Sequence, residues 1–149
     1  MGKREVDMMK TIILYATKSG AARECADILA ARIKDSSVCD LSKETPDIDA
    51  ADMLIIGSGV RMGRVYKPVR KYIEKNLDKL LTKKTALYLC NGEPETYNKA
   101  VEKNIPAQLI SQSLCVMSFG GKPPFTTPKS QDWILKENMD AFVQAVEQG

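Results

Sequence analysis

Three uninterrupted apolar runs narrow what this chain can fold into: Thr11–Ala16 (TIILYA), Met53–Gly57 (MLIIG) and Ala86–Cys90 (ALYLC). None shows the polar–apolar alternation of a strand with one wet face, so each reads as a strand buried on both sides. Apolar residues elsewhere recur at helical spacing. Ala22, Cys25, Ala26, Leu29 and Ile33 mark a helix to about Asp35, and Val69, Tyr72, Ile73, Leu77 and Leu80 mark a second, with Pro68 as its first residue. Tyr97–Asn104 is a third helix, and Pro106 breaks it before a short turn at Ala107–Gln112. Leu135, Met139, Phe142, Val143 and Val146 form the stripe of the last helix. Val38–Leu41 and Cys115–Phe119 supply two shorter strands, Met1–Lys10 is a loose lead-in, and Gly120–Lys129 is an irregular, proline-containing link. Strands alternating with helices predict a parallel sheet covered on both faces. Residues 1–149 are expected to form a single α/β domain, a three-layer sandwich with five parallel strands in the order 2-1-3-4-5. Its ligand crevice lies at the carboxyl ends of strands one and three, where the winding reverses.

Composition removes several classes of function. The 22 Lys+Arg against 19 Asp+Glu give a net charge of +3, too weak and too mixed to imply nucleic acid. Histidine is absent, which excludes His-based triads, His-ligated zinc and His acid–base chemistry. Cys25, Cys39, Cys90 and Cys115 show no C-x-x-C spacing and each sits in an apolar run, so they read as small buried hydrophobes. Reduced thiols without a signal peptide point to the cytoplasm. No apolar run approaches the roughly 20 residues of a membrane span.

The crevice loops are Thr17–Ala22, Ser58–Tyr66 and Asn91–Tyr97. Thr17-Lys18-Ser19-Gly20 joins a buried strand to a helix N-terminus, where converging N–H groups suit a phosphate; an ordinary turn capped by Ser19 is the plain alternative. Gly57-Ser58-Gly59-Val60-Arg61-Met62-Gly63 has one residue too many for the dinucleotide pattern and follows the wrong strand. It reads as a Gly-rich loop offering carbonyls and an exposed Met to an aromatic ligand. A phosphoacceptor domain of the same topology needs carboxylates after strands one and three, and this chain has Thr17-Lys18 and Ser58-Gly59 there.

The segments TIILYATKSGAARECA, LIIGSGVRMGRVYKPV, LYLCNGEPE, NIPAQLI, VMSFGG and the pair Asp132-Trp133 resemble the flavodoxin family. The resemblance is nearest to the flavodoxin-domain proteins of the menaquinone-dependent protoporphyrinogen dehydrogenase group. It implies FMN as cofactor, with Thr17, Lys18, Ser19, Gly20, Ala21 and Ala22 around its phosphate. It sets Ser58, Gly59, Val60, Arg61, Met62 and Gly63 along the ring, with Met62 against the isoalloxazine and the Gly63 carbonyl able to turn toward the flavin N5–H. Asn91, Gly92 and Glu93 would border the pyrimidine end, and Tyr97 and Phe125 the outer face. For Glu93 and Arg61, solvated loop charge is the competing reading. Ala21 and Ala22 replace a polar residue and a Thr of the family pattern, removing a hydroxyl from the phosphate loop.

Three functions are compatible with this resemblance. The first is an FMN-binding redox protein that carries electrons to a partner protein or a quinone. The second is quinone-dependent oxidation of protoporphyrinogen, and the third an interaction domain whose flavin site has degenerated at Ala21 and Ala22.

Overall fold

The computed structural model describes residues 9–122 and 130–149. Strand β1 (Thr11–Ala16) leads into helix α1 (Ala21–Arg32), then β2 (Ser36–Asp40) and β3 (Met53–Arg61). A two-residue strand β4 (Arg64–Val65) precedes α2 (Lys67–Leu80) and β5 (Lys84–Cys90). A 3₁₀ turn at Pro94–Thr96, helices α3 (Tyr97–Asn104) and α4 (Ala107–Gln112), strand β6 (Val116–Ser118) and helix α5 (Lys136–Gln148) complete the order. The sheet runs β2-β1-β3-β5-β6, all parallel, with β4 antiparallel to the end of β3. The five parallel strands therefore take the order predicted from the sequence.

The period of two along each central strand divides the core into two layers. Ile13, Tyr15, Met53, Ile55, Ala86 and Tyr88 face α1 and α5, meeting Cys25, Leu29, Phe142 and Val146. Leu14, Ala16, Leu54, Ile56, Leu87 and Leu89 face the other way, onto Val69, Ile73, Val101 and Leu109. Tyr88, Phe119 and Phe142 form an aromatic cluster in the first layer, with Tyr88 stacked on Phe119 at 4.9 Å between ring centres.

Several boundaries differ from the sequence reading. Helix α1 ends at Arg32 rather than near Asp35, because Ile33 is already extended (φ −104°, ψ 122°), and Asp35, with a positive φ of 52°, then turns the chain into β2. Lys67 precedes Pro68 as the first residue of α2. Leu135 caps α5 at 44% exposure instead of joining its stripe, and Ile134 is buried in its place. The largest difference is β3. It continues past Gly57 to Arg61 and returns through β4, so the expected Gly-rich loop is a hairpin. Among the described residues, no helix is long and apolar enough to cross a membrane.

Cys25, Cys39 and Cys90 are buried, Cys115 is half-buried, and all four are unpaired. Burial pushes the Cys39 thiol up to about 12 and the Cys115 thiol up to about 11. A hydrogen bond to Cys25, 3.8 Å away, and then burial raise Cys90 as well. Thiolate is the reactive form, so at pH 8 Cys115 is ionised only to about one part in a thousand, and Cys25 is shielded by complete burial. Native protein at pH 8 should react slowly with an aromatic disulfide reagent, and denaturant should release all four thiols at once. A fast stoichiometric phase in native protein would contradict this packing.

Candidate functional site

The strand-to-helix turn after β1 is held by its own side chains. The Gly20 N–H donates to Thr17 Oγ1 at 2.9 Å and the Ala21 N–H to Ser19 Oγ at 3.4 Å. Both hydroxyl oxygens thus accept from backbone, which leaves each O–H free to donate elsewhere. Gly20, with φ 91°, is the residue before the helix, so Ser19 does not cap it. As in any helix, the N–H groups of Ala22 and Arg23 lack acceptors in the preceding turn. The methyls of Ala21 and Ala22 are buried in the core, so these residues face the turn only through main chain. The Ala22 carbonyl accepts a 2.8 Å bond from the Tyr88 hydroxyl, tying the turn to the sheet.

The hairpin after β3 is built differently from the expected loop. Arg61 pairs with Arg64 across Met62 and Gly63, whose φ values of 54° and 77° are both positive. Two positive central residues are what a tight antiparallel turn requires. Gly63 adopts such a φ freely, whereas Met62 does so against its Cβ and presents its side chain at 92% exposure. Ser58 Oγ is fully buried, donates to Gly59 O at 2.7 Å and accepts from the Tyr66 N–H at 3.0 Å, so it staples the hairpin base. A Cβ on Gly59 would stand 2.6 Å from the Tyr66 ring, and Lys18 Nζ lies 5.0 Å from the centre of that ring. The Gly63 carbonyl accepts from Asn104 Nδ2 at 2.9 Å, and turning it toward any ligand means breaking that bond.

In the third loop, Asn91 is spent on its own backbone and neighbours. Its Oδ1 accepts from the Glu93 N–H at 3.3 Å and its Nδ2 donates to Thr96 Oγ1 at 3.2 Å. A Cβ on Gly92 would lie 3.7 Å from Gly121 O, so this loop runs against the segment leaving β6.

Between the hairpin and the third loop opens a cavity of ≈ 840 Å³. Val60, Arg61, Met62, Gly63, Asn91, Gly92 and Glu93 line it, seven of the residues singled out in the sequence. Thr17–Ala22, Ser58 and Gly59 do not. Lys99, Lys103 and Lys122, none of them among the predicted site residues, join Arg61 on its walls. Tyr97 packs against the α2–α3 layer with its hydroxyl buried, and burial pushes that hydroxyl up to about 12. It is not on the cavity wall, and Phe125 lies outside the described residues. Lys122 bridges the cavity and the first turn. Its Nζ donates to the Ser19 carbonyl at 3.0 Å and pairs with Glu24 on α1. No sequence signal marks this contact, because the two segments meet only through strand order.

Switch-point loops, strand order and a cavity at the carboxyl ends of β3 and β5 define a doubly wound α/β domain of the flavodoxin-like class. A family model described as Flavodoxin domain matches residues 12–127, and the chain belongs to that family. It is 30% identical over 88 residues to "Protoporphyrinogen IX dehydrogenase [quinone]" of Escherichia coli (strain K12), covering 56% of this chain and 49% of that protein. The chain thus spans about half the length of the curated relatives it matches. A flavodoxin, WrbA-like protein from Agrobacterium tumefaciens superposes with a TM-score of 0.65 at 13% identity, covering 94% of this chain and 98% of that one. The two-electron reduced flavodoxin of Megasphaera elsdenii gives 0.61 at 14% identity, covering 93% and 99%. A flavoprotein in complex with FMN from Lactobacillus acidophilus gives 0.57 at 19% identity, covering 74% and 93%.

Proposed function

We propose that this chain binds FMN non-covalently and carries electrons through it to a redox partner protein or a quinone. The observation that carries the reading is the ≈ 840 Å³ cavity, linked through Lys122 to the hydroxyl-bearing turn before α1, a volume within the usual range for small-ligand sites. The residues present fit the group. Glycine at position 20 leaves the turn open to a phosphate, since a Cβ there would stand 3.3 Å from the Lys122 ammonium. The Ala22 and Arg23 N–H groups and the Thr17 and Ser19 hydroxyls would hold the phosphate. The Met62–Gly63 turn and the Asn91–Glu93 loop would flank the ring. Bound FMN would supply the electron chemistry, and the protein the binding and the electrostatics. No side-chain acid or base is needed, in keeping with the absence of histidine. Arg61, Lys99, Lys103 and Lys122 outnumber Glu93 on the cavity wall, which favours an anionic partner surface or substrate. Unpaired thiols support a reducing compartment, the cytoplasm. FMN-loaded protein, reduced anaerobically, should reoxidise on adding a quinone or an acidic electron carrier. Reoxidation no faster than that of free FMN at the same concentration would sink the carrier role.

The Escherichia coli relative favours a second reading, quinone-dependent oxidation of protoporphyrinogen. Anaerobic turnover with a quinone acceptor above the free-FMN background decides it.

Backbone and hydroxyl donors of the turn, at fixed geometry, should contribute more to holding the phosphate than the exposed Lys18. Lys18 is exposed and lies toward Tyr66, so Lys18→Ala should weaken FMN by less than about tenfold, equivalent to 1.4 kcal/mol. Ser19→Ala should weaken it more. A Lys18→Ala loss that is the larger of the two and strongly salt-dependent would show side-chain charge doing the holding.

A further inference from the structure

We propose that Lys122 is the cation that recognises the ligand's phosphate at the Thr17–Ala22 turn and so selects FMN over the unphosphorylated flavin. The assignment rests on the flavin reading above. Lys122 is fixed from several sides. Its Nζ donates to the Ser19 carbonyl at 3.0 Å, pairs with the Glu24 carboxylate and lies 5.9 Å from the centre of the Trp133 ring. The side chain is only 16% exposed, against the rim position of Lys18. A held, largely desolvated ammonium acts on an anion far more strongly than a screened one.

Two further facts place this ammonium on the ligand's path. Lys122 both lines the cavity and hydrogen-bonds the first turn. A ligand with its ring in the cavity and its phosphate at the turn would run alongside it. An ammonium also carries three donor hydrogens, and the described partners are one carbonyl and one carboxylate. It retains capacity for another anionic oxygen. Glu24 sharpens the requirement, because a carboxylate in the first turn of α1 would repel a phosphate if Lys122 did not stand beside it.

Lys122 has two separable effects, neutralising Glu24 and attracting the phosphate, and a double-variant cycle distinguishes them. Dissociation constants for FMN and riboflavin would be measured by flavin fluorescence on wild type, Lys122→Met, Glu24→Gln and the double variant. The double variant also removes the carboxylate that Lys122→Met leaves unpaired, which guards against a misfolded single variant. The expected result is FMN weakened at least about tenfold in both the single and the double variant, with riboflavin changed less than about threefold. Lys122→Arg, which keeps the charge, should recover much of the loss. FMN affinity restored to wild type in the double variant would overturn the proposal, since Lys122 would then act only on Glu24. Equal losses for both flavins would overturn it too. Wild-type protein that binds neither flavin would overturn the flavin reading and this assignment together, whereas FMN binding indifferent to Lys122 would overturn this assignment alone.

Discussion

Gly57→Ala is expected to destabilise the fold by about 3 kcal/mol or more, although the substitution adds a single methyl. Gly57 lies opposite Tyr88 in the β3–β5 register, and a Cβ there would fall 1.9 Å from Tyr88 Cζ. Tyr88 has no room to yield. Its ring is fully buried, stacked on Phe119 and edge-on to Phe142, and its hydroxyl is bonded to the Ala22 carbonyl. For a chain of this size each kcal/mol corresponds to roughly 2–4 °C, so melting should fall by about 6–12 °C. Because the displaced ring also anchors the first turn of α1, FMN affinity should fall with stability. Combining Gly57→Ala with Tyr88→Ala should cost less than the two changes summed. A Gly57→Ala variant melting within a degree or two of wild type would contradict the packing described.

Gly121→Ala is expected to act on the site more than on the fold. Gly121 is partly exposed, yet a Cβ there would stand 2.6 Å from Gly92 N and 3.0 Å from Gly92 Cα, backbone atoms that cannot rotate away. The segment leaving β6 must then separate from the Asn91–Glu93 loop, moving one wall of the cavity and Lys122 with it. A displacement of that kind should cost more than about tenfold in FMN affinity, or 1.4 kcal/mol, with melting lowered by only a few degrees. Titration and melting of the same preparation check both halves. Unchanged affinity would show that these two loops do not jointly form the site.

The sequence is most readable where one local rule governs. TIILYA, MLIIG and the ALYLC run are strands because their residues face apolar layers on both sides, and periodicity alone reveals it. The stripes of α1 and α2 are readable for the same reason. Met62–Gly63 is not, since the common signal for such a turn is Asn-Gly, and here a methionine occupies the strained position while glycines conceal the extension of β3. Leu135 has the spacing of a core residue, but the chain enters α5 at that point and its side chain is left outside. Within the site, the loops directly after β1, β3 and β5 are recoverable from their place in the chain. The contacts of Lys122, Asn104 and Tyr66 are not, because these residues reach the turn and hairpin from other segments, across as many as 103 residues. Such contacts arise from the order of strands in space and leave no local pattern.

The central claim is that these loops hold FMN, and a visible spectrum of freshly purified protein before and after FMN addition tests it most directly. The predicted result is a yellow protein, or a colourless one that takes up FMN with quenching of the flavin's fluorescence and a retained flavin spectrum after desalting. A colourless protein that leaves FMN fluorescence unchanged and passes through desalting without flavin would contradict the claim and favour an interaction domain with a degenerate site.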